Sequence, residues 1–276
     1  MQLGKTNQLK VTKITELGYL LEDEDSKNIL LPNDAVTGKL KVDDTVKVFV
    51  YKDSDNHLIA TTQKPTIELE QFAYLQVKDI NKTGAFMDWG ISKDLLVPYA
   101  EHTVKMSEGE WHLVFMLLDE ETNRLIGSCK ENEFVFFDEI DVKEGDEVDL
   151  LLYSRTDLGF NAIVNNLYKG LIFNSNIHKD IKSGDTINGY VKQVREDGNI
   201  DLLLEPLGYR KSIDPTTETI LNKLKENDGC IFLTDKSTPE EIKEQLGLSK
   251  KAFKRGLGSL YKQKKIAILE DCIKLV

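Results

Sequence analysis

In the segment NKTGAFMDWG, residues 81–90, Phe86 and Trp89 stand three positions apart, with Lys82 before them and Lys93 shortly after. An aromatic ring beside a lysine can stack on a nucleobase while the ammonium meets a phosphate, and such stacking contributes roughly 1–3 kcal/mol per base. Residues i and i+3 of a strand point to opposite faces, so Phe86 turned outward implies Trp89 packed inward, with Gly84 bending the strand. Tyr19 follows Gly18 and Phe160 follows Gly159, which makes them the corresponding candidates. Around Phe160, the residues Arg155, Lys169, Tyr190, Lys192 and Arg195 are placed to form a basic rim. After Tyr19, the acidic run LEDEDS would repel phosphate. The plainer reading of all three rings is a core residue behind a bulge glycine.

A second concentration of cations lies near the end of the chain. Lys250, Lys251, Lys254, Arg255, Lys262, Lys264 and Lys265 occur with no acid among residues 249–265. On a helix, Lys251, Lys254 and Arg255 share a face, while Ala252, Leu257, Leu260 and Tyr261 supply apolar contacts for the other. Such a helix suits phosphates or a nucleic-acid groove. The alternative is a solvated lysine face on a domain used for protein contacts. Catalytic chemistry finds no comparable support. His57, His102, His112 and His178 lack metal-ligand spacing, and no glycine-rich phosphate loop is present. The paired acids of SEGEW and DEETN read as turn residues, and Cys129 reads as a buried strand thiol. No enzymatic activity, metal or cofactor is expected.

The elements that must position these residues come from a chain of 276 residues, 40% hydrophobic and 30% charged, a folded rather than disordered composition. No apolar run is long enough to span a membrane, and the beginning, MQLGKTNQLKVTK, has no apolar signal core, so the expectation is a cytoplasmic protein. Cys129, Cys230 and Cys272, far apart and odd in number, suggest reduced, buried thiols. Net charge is −11, which argues against gross nonspecific adhesion to nucleic acid. The charge is uneven. Residues 213–276 carry 12 basic and 10 acidic side chains, a balance of +2 against −13 for the remainder.

Three segments repeat one order of features. Gly18, Gly84 and Gly159 align at separations of 66 and 75, and so do Leu31-Pro32, Val97-Pro98 and Ile172-Phe173. A period near 70 marks repeated domains rather than a solenoid. Each repeat reads as five short strands, with NILLP, DLLVP and KGLIF as the third and Asp44, Glu110 or Asp185 opening the fourth. Five twisted strands in such a length suit a small OB-type barrel, with a small sandwich as the alternative. Residues 213–276 read as helix, strand, helix, turn, helix and hairpin, the order of a winged helix, with Ser237 or Thr238 and then Ser249 as caps and Gly247 as a stop.

VKDINKTGAFMDWGISKDLLVPYAEH resembles the S-one (S1) domain, an RNA-binding barrel, through Gly84, Phe86, Leu96, Val97 and Pro98; the first repeat resembles it less and the third least, with Phe173 in place of the proline. The family's second aromatic is replaced by Leu17, Thr83 and Leu158, and its third-strand histidine is absent. The whole layout is similar to the conserved virulence factor B family of bacterial regulators, in which three such barrels precede a winged helix. That resemblance implies a mainly β fold: three tandem five-stranded barrels over 1–64, 68–131 and 145–207, then an α+β winged helix over 213–276. It implies a non-catalytic, RNA-binding regulatory protein acting post-transcriptionally, virulence factors included, with single-stranded RNA on the barrels and the basic helix contributing. The alternatives are a scaffold docking on ribosome or polymerase, and a DNA-binding regulator using the winged helix alone. Short linkers such as KPTIELEQ and PLGYRKSIDP predict limited flexibility, and a monomer is expected.

Overall fold

The alternation of apolar and polar residues drives each repeat along the same five-strand path. The computed structural model describes residues 1–53, 55–206, 215–227, 229–262, 264–269 and 271–276. The first barrel comprises β1 (Thr6–Ile14), β2 (Gly18–Glu22), β3 (Asn28–Pro32), β4 (Thr45–Lys52) and β5 (Leu58–Thr61). The second comprises β6 (Phe72–Asn81), β7 (Gly84–Asp88), β8 (Leu95–Pro98), β9 (Trp111–Leu118) and β10 (Leu125–Ser128). The third comprises β11 (Glu147–Arg155), β12 (Gly159–Val164), β13 (Tyr168–Phe173), β14 (Thr186–Val194) and β15 (Ile200–Leu203). Barrels one and three close through parallel pairing of their third and fifth strands, Leu30 with Ile59 and Leu171 with Asp201. Barrel two has the same strands in the order β10-β9-β6-β7-β8, with no ladder joining β8 to β10 among the described residues.

Local chemistry explains the repeat. The first strand of each barrel carries a bulge at the same place, between Val11 and Lys13, Val77 and Asp79, and Leu152 and Ser154. A bulge adds a residue to one strand and sharpens the twist that curls a sheet into a barrel. The acid before each fourth strand closes a tight turn by accepting a backbone N–H: Lys41 donates to Asp44 at 2.7 Å, Ser107 to Glu110 at 2.8 Å and Lys182 to Asp185 at 2.9 Å. The backbone carbonyls of these acids then accept from the bulge residues Val11, Val77 and Leu152. The aligned glycines have a steric cause. A Cβ on Gly18, Gly84 or Gly159 would stand 2.1, 2.2 or 2.0 Å from the facing third-strand carbonyl oxygen. Only a residue without a side chain lets those two strands approach so closely.

The barrels share cores. Phe49 and Tyr51 of β4 pack into the cluster of Met87, Trp89, Leu95 and Val97, so barrels one and two are joined by apolar surface. Barrels two and three are joined by Phe72, Leu113, Phe115, Val135 and Ile163, with Phe134 stacked on Phe115 at 4.3 Å. Asn166 clamps the second joint: its Oδ1 accepts from the Phe72 N–H at 2.6 Å and its Nδ2 donates to the Glu70 carbonyl at 2.9 Å. Residues 1–204 accordingly form one compact unit, and residues 205–276 form another.

The second unit contains α1 (Pro215–Glu226), β16 (Cys230–Ile231), α2 (Pro239–Leu246), α3 (Lys250–Lys262), β17 (Ile266–Ile268) and β18 (Ile273–Leu275), the winged-helix order. Residues 207–214 of the linker PLGYRKSIDP lie outside the described residues. Thr238 caps α2 in a reciprocal capping box with Glu241, and Gly247 ends the helix in the left-handed region. The Ser249 hydroxyl caps α3 by accepting from Ala252 at 3.2 Å. The apolar side of α3 is set by Phe253, Leu257 and Leu260, which pack on Ile220, Ile242 and Ile273. Tyr261, expected among the apolar contacts, instead lies 58% exposed on the lysine-bearing side. Gly256 sits where a Cβ would meet Ile220 at 2.9 Å and Thr216 at 3.0 Å, so its absence lets α3 approach α1; Gly258 faces open space.

Candidate nucleic-acid interface

Strand parity decides the aromatics. In each barrel the residue after the glycine faces the core opposite Leu31, Val97 or Ile172, all fully buried, and the next residue faces out. Tyr19, Ala85 and Phe160 occupy the inward position, while Leu20, Phe86 and Asn161 occupy the outward one. Phe86 is therefore a half-exposed ring on the outer face of β7, beside Leu96 of β8. Phe160, expected outside, is 2% exposed within the third core and has no face for a ligand. Tyr19 is half-buried against the first core. Tyr19 and Phe160 stand one position after their glycines and Phe86 two positions after its own, and that count separates Phe86 from the other two.

Trp89 packs inward as expected, at 2% exposure, edge-on to Phe49 with ring centroids 5.5 Å apart. Its indole N–H donates to the Lys93 carbonyl, which closes the segment after β7, and Lys93 lines the outer face with Phe86. There Phe86, Leu96, Pro98, Leu125 and Ile126 line an open groove of about 490 Å³ over the unjoined edges of β8 and β10. Lys93 and Arg124 supply cations, and Tyr51 and Lys52 enter from barrel one, so the groove is built by two barrels. The Lys93 ammonium donates to the Lys52 carbonyl at 2.6 Å. Burial, and then the Arg124 charge, hold the Lys93 pKa below the usual lysine value. Of the groove's acids, Asp94 is engaged by Lys78 at 2.8 Å and Asp119 accepts from the Thr122 N–H at 3.0 Å. Lys82 is exposed in the β6–β7 turn beside Thr83, which lines the groove. Tyr51, Lys52 and Arg124 escaped sequence reasoning. The first two belong to another repeat, and Arg124 sits in the turn DEETNR, whose acids dominate its reading.

In barrel three, two of the expected cations are engaged by neighbouring side chains. Lys169 donates to Asn132 at 2.8 Å and pairs with Glu131 at 3.2 Å, which ties β13 to the connection from barrel two. Arg195 pairs through Nε with the buried Asp201 at 2.6 Å and lies 5.5 Å over the Phe173 ring. These two cations, expected on a basic rim, are neutralised within the fold. Arg155 is exposed at the end of β11, and Tyr190 and Lys192 are half-exposed on β14. In the second unit, Lys251, Lys254, Arg255 and Lys262 are exposed along α3 and Lys250 is half-exposed at its start. The structure also gathers Asp53, Asp55 and His57, with one ligand atom from each within 4.8 Å of the others, although the histidine spacing had not suggested a metal. The Asp53 carboxylate accepts the His57 N–H at 2.8 Å, closing the β4–β5 turn.

Among the described residues, no helix is long and apolar enough to cross a membrane. Residues 3–63 match the S1 domain and residues 218–275 match the CvfB-like winged helix domain. Both are nucleic-acid-binding domain types rather than catalytic ones. A Bacillus subtilis protein named uncharacterized protein YitL is 30% identical, covering 96% of this chain and 91% of its own. Conserved virulence factor B of Staphylococcus epidermidis is 27% identical, and that of Staphylococcus aureus 26%, each over 96% of this chain and 92% or 91% of its own. A solved multidomain protein with nucleic acid binding domains from Streptococcus pneumoniae is 24% identical with a TM-score of 0.42, covering 99% of this chain and 98% of its own. With both terminal domain types matched and relatives aligned along almost their entire length, the chain belongs to the conserved virulence factor B family.

Proposed function

We propose that this chain is a non-catalytic RNA-binding regulator that anchors single-stranded RNA in the groove shared by barrels one and two. The observation that carries this reading is the outward Phe86 ring set beside Lys93, Arg124 and Lys52 over an apolar floor. A base stacks on Phe86, the flanking phosphates meet the lysines and arginine, and the apolar floor excludes water from the stacked ring. Single-stranded RNA suits this arrangement because a paired base cannot present its face to a protein ring. The first barrel is then part of the reading surface, through Tyr51 and Lys52. The lysine side of α3 adds a second, electrostatic contact. The name of the staphylococcal relatives supports a part in virulence, and post-transcriptional control is the form that RNA binding would give it.

Fluorescence-anisotropy titration of labelled single-stranded RNA, duplex RNA and duplex DNA with the full chain, at two salt concentrations, tests this reading. Preference for single-stranded RNA with affinity falling steeply with salt supports it. Preference for duplex DNA that is lost on Lys254→Ala with Arg255→Ala moves the function to the winged helix. Absence of binding to all three ligands favours the protein scaffold, for which the exposed Phe136, Phe137 and Leu167 offer an apolar surface.

A further inference from the structure

The three cysteines are of two kinds. Cys129 is 5% exposed beside the barrel-two core, and burial, followed by the charges of Glu131 and Glu101, pushes its thiol up to about 12. Cys230 and Cys272 are half-exposed, 42 positions apart in sequence, Cys230 in β16 and Cys272 immediately before β18. Strands β16 and β18 are antiparallel, with Cys230 opposite Lys274 and Ile231 opposite Ile273. Ile231 and Ile273 form the inward pair at 4% and 0% exposure. Alternation then turns Cys230 and Cys272 to the other face, as diagonal neighbours. The neighbouring Cys230 thiol, ahead of burial, raises the Cys272 pKa. The sequence-based expectation of separate buried thiols therefore holds for Cys129 and fails for this pair.

We infer that Cys230 and Cys272 are a reversible disulfide-forming pair that a peroxide oxidises, tying the wing hairpin to β16. One thiolate attacks a peroxide oxygen, the O–O bond breaks, and the chain carries a sulfenic acid while the leaving oxygen departs as water. The second thiolate attacks the sulfenyl sulfur, the S–S bond forms, and hydroxide leaves and takes a proton to become the second water. Two thiols are oxidised and one peroxide is reduced to two waters. At Cys272 the Asp271 charge opposes the thiolate form and the Lys274 charge favours it. The diagonal separation typical of antiparallel strands exceeds the usual Cα–Cα range of a disulfide, so the bond forms only if the backbone moves. Closure therefore draws the turn at the head of β18, held by the Leu269 N–H to Cys272 carbonyl bond of 2.8 Å, toward β16. The closed loop contains α2, α3 and β17, so the bond restricts the unfolded winged helix and stabilises the folded one.

The test treats the reduced full chain with hydrogen peroxide at low protein concentration, caps free thiols, digests with trypsin and reads the peptides by mass spectrometry. The expected product joins peptides 226–236 and 266–274 within one chain, lighter by two hydrogen atoms, and dithiothreitol reverses it. Cys129 stays unmodified until the chain is unfolded. Melting of the oxidised winged helix shifts up by about 5 °C or more, and Cys230→Ser and Cys272→Ser abolish the shift. Separate oxidation of the two cysteines without a link, or links only between chains, would overturn the inference. Because the linkage is read on the unaltered chain, a variant that folds poorly does not rescue the proposal.

Discussion

Replacing Phe86 by alanine removes the ring from the groove and leaves every cation in place. The residue is half-exposed on β7, so the truncation costs about 1 kcal/mol of stability, well below the roughly 3–5 kcal/mol of a buried phenylalanine. Loss of one stacked base removes roughly 1–3 kcal/mol of binding, equivalent to an affinity loss of about 5- to 150-fold. Lys52, Lys93 and Arg124 still meet phosphate, so the slope of log affinity against log salt stays as in the parent chain. The assay is anisotropy with a short labelled single-stranded RNA across a salt series, with thermal unfolding as the check on folding. Unchanged affinity in a folded Phe86→Ala variant would refute the stacking role. A reduced affinity accompanied by a shallower salt slope would refute the division between ring and cations.

Phe160→Ala, in contrast, should cost roughly 3–5 kcal/mol of stability and leave binding per folded molecule unchanged, which denaturant unfolding and anisotropy together check. Gly84→Ala drives a Cβ to within 2.2 Å of the Val97 carbonyl oxygen and should destabilise the barrel unit by about 3 kcal/mol, read as a lowered midpoint in urea. In α3, Gly258→Ala should stabilise the winged helix by about 1 kcal/mol because its site is open, whereas Gly256→Val should destabilise it by collision with Ile220 and Thr216; thermal unfolding distinguishes the two. Lys93, with a lowered pKa, loses its ammonium at a lower pH than other lysines, so RNA affinity should fall as pH rises through that value, and Lys93→Arg should remove the fall. The same shift means the unfolded chain binds more protons between the lowered value and 10.5. The stability Lys93 contributes is therefore present above 10.5 and lost as pH falls through the folded value, which urea titrations at several pH values check.

Much of the architecture is local and so was legible in the residues. The glycines at intervals of 66 and 75, the acids before each fourth strand, the Thr238 and Ser249 caps and the Gly247 stop act on their own turns or on the adjoining strand, and their types announce their roles. That Phe86 and Trp89 face opposite ways follows from strand parity, while the choice of face does not. The fate of the other candidates rested on partners far along the chain. Lys169 meets Glu131, 38 residues away, and the ring of Phe160 fills a core whose walls come from all five strands of its barrel. The groove itself takes Tyr51 and Lys52 from one repeat and Phe86, Lys93 and Arg124 from the next, a junction no single repeat contains. Cys230 and Cys272 meet only because β16 and β18 pair. Residue type and spacing determine which strands and helices form, since those choices depend on near neighbours. Only the packed structure decides which charges are neutralised, which rings stay free and which thiols touch, since burial and pairing are properties of contacts between distant segments.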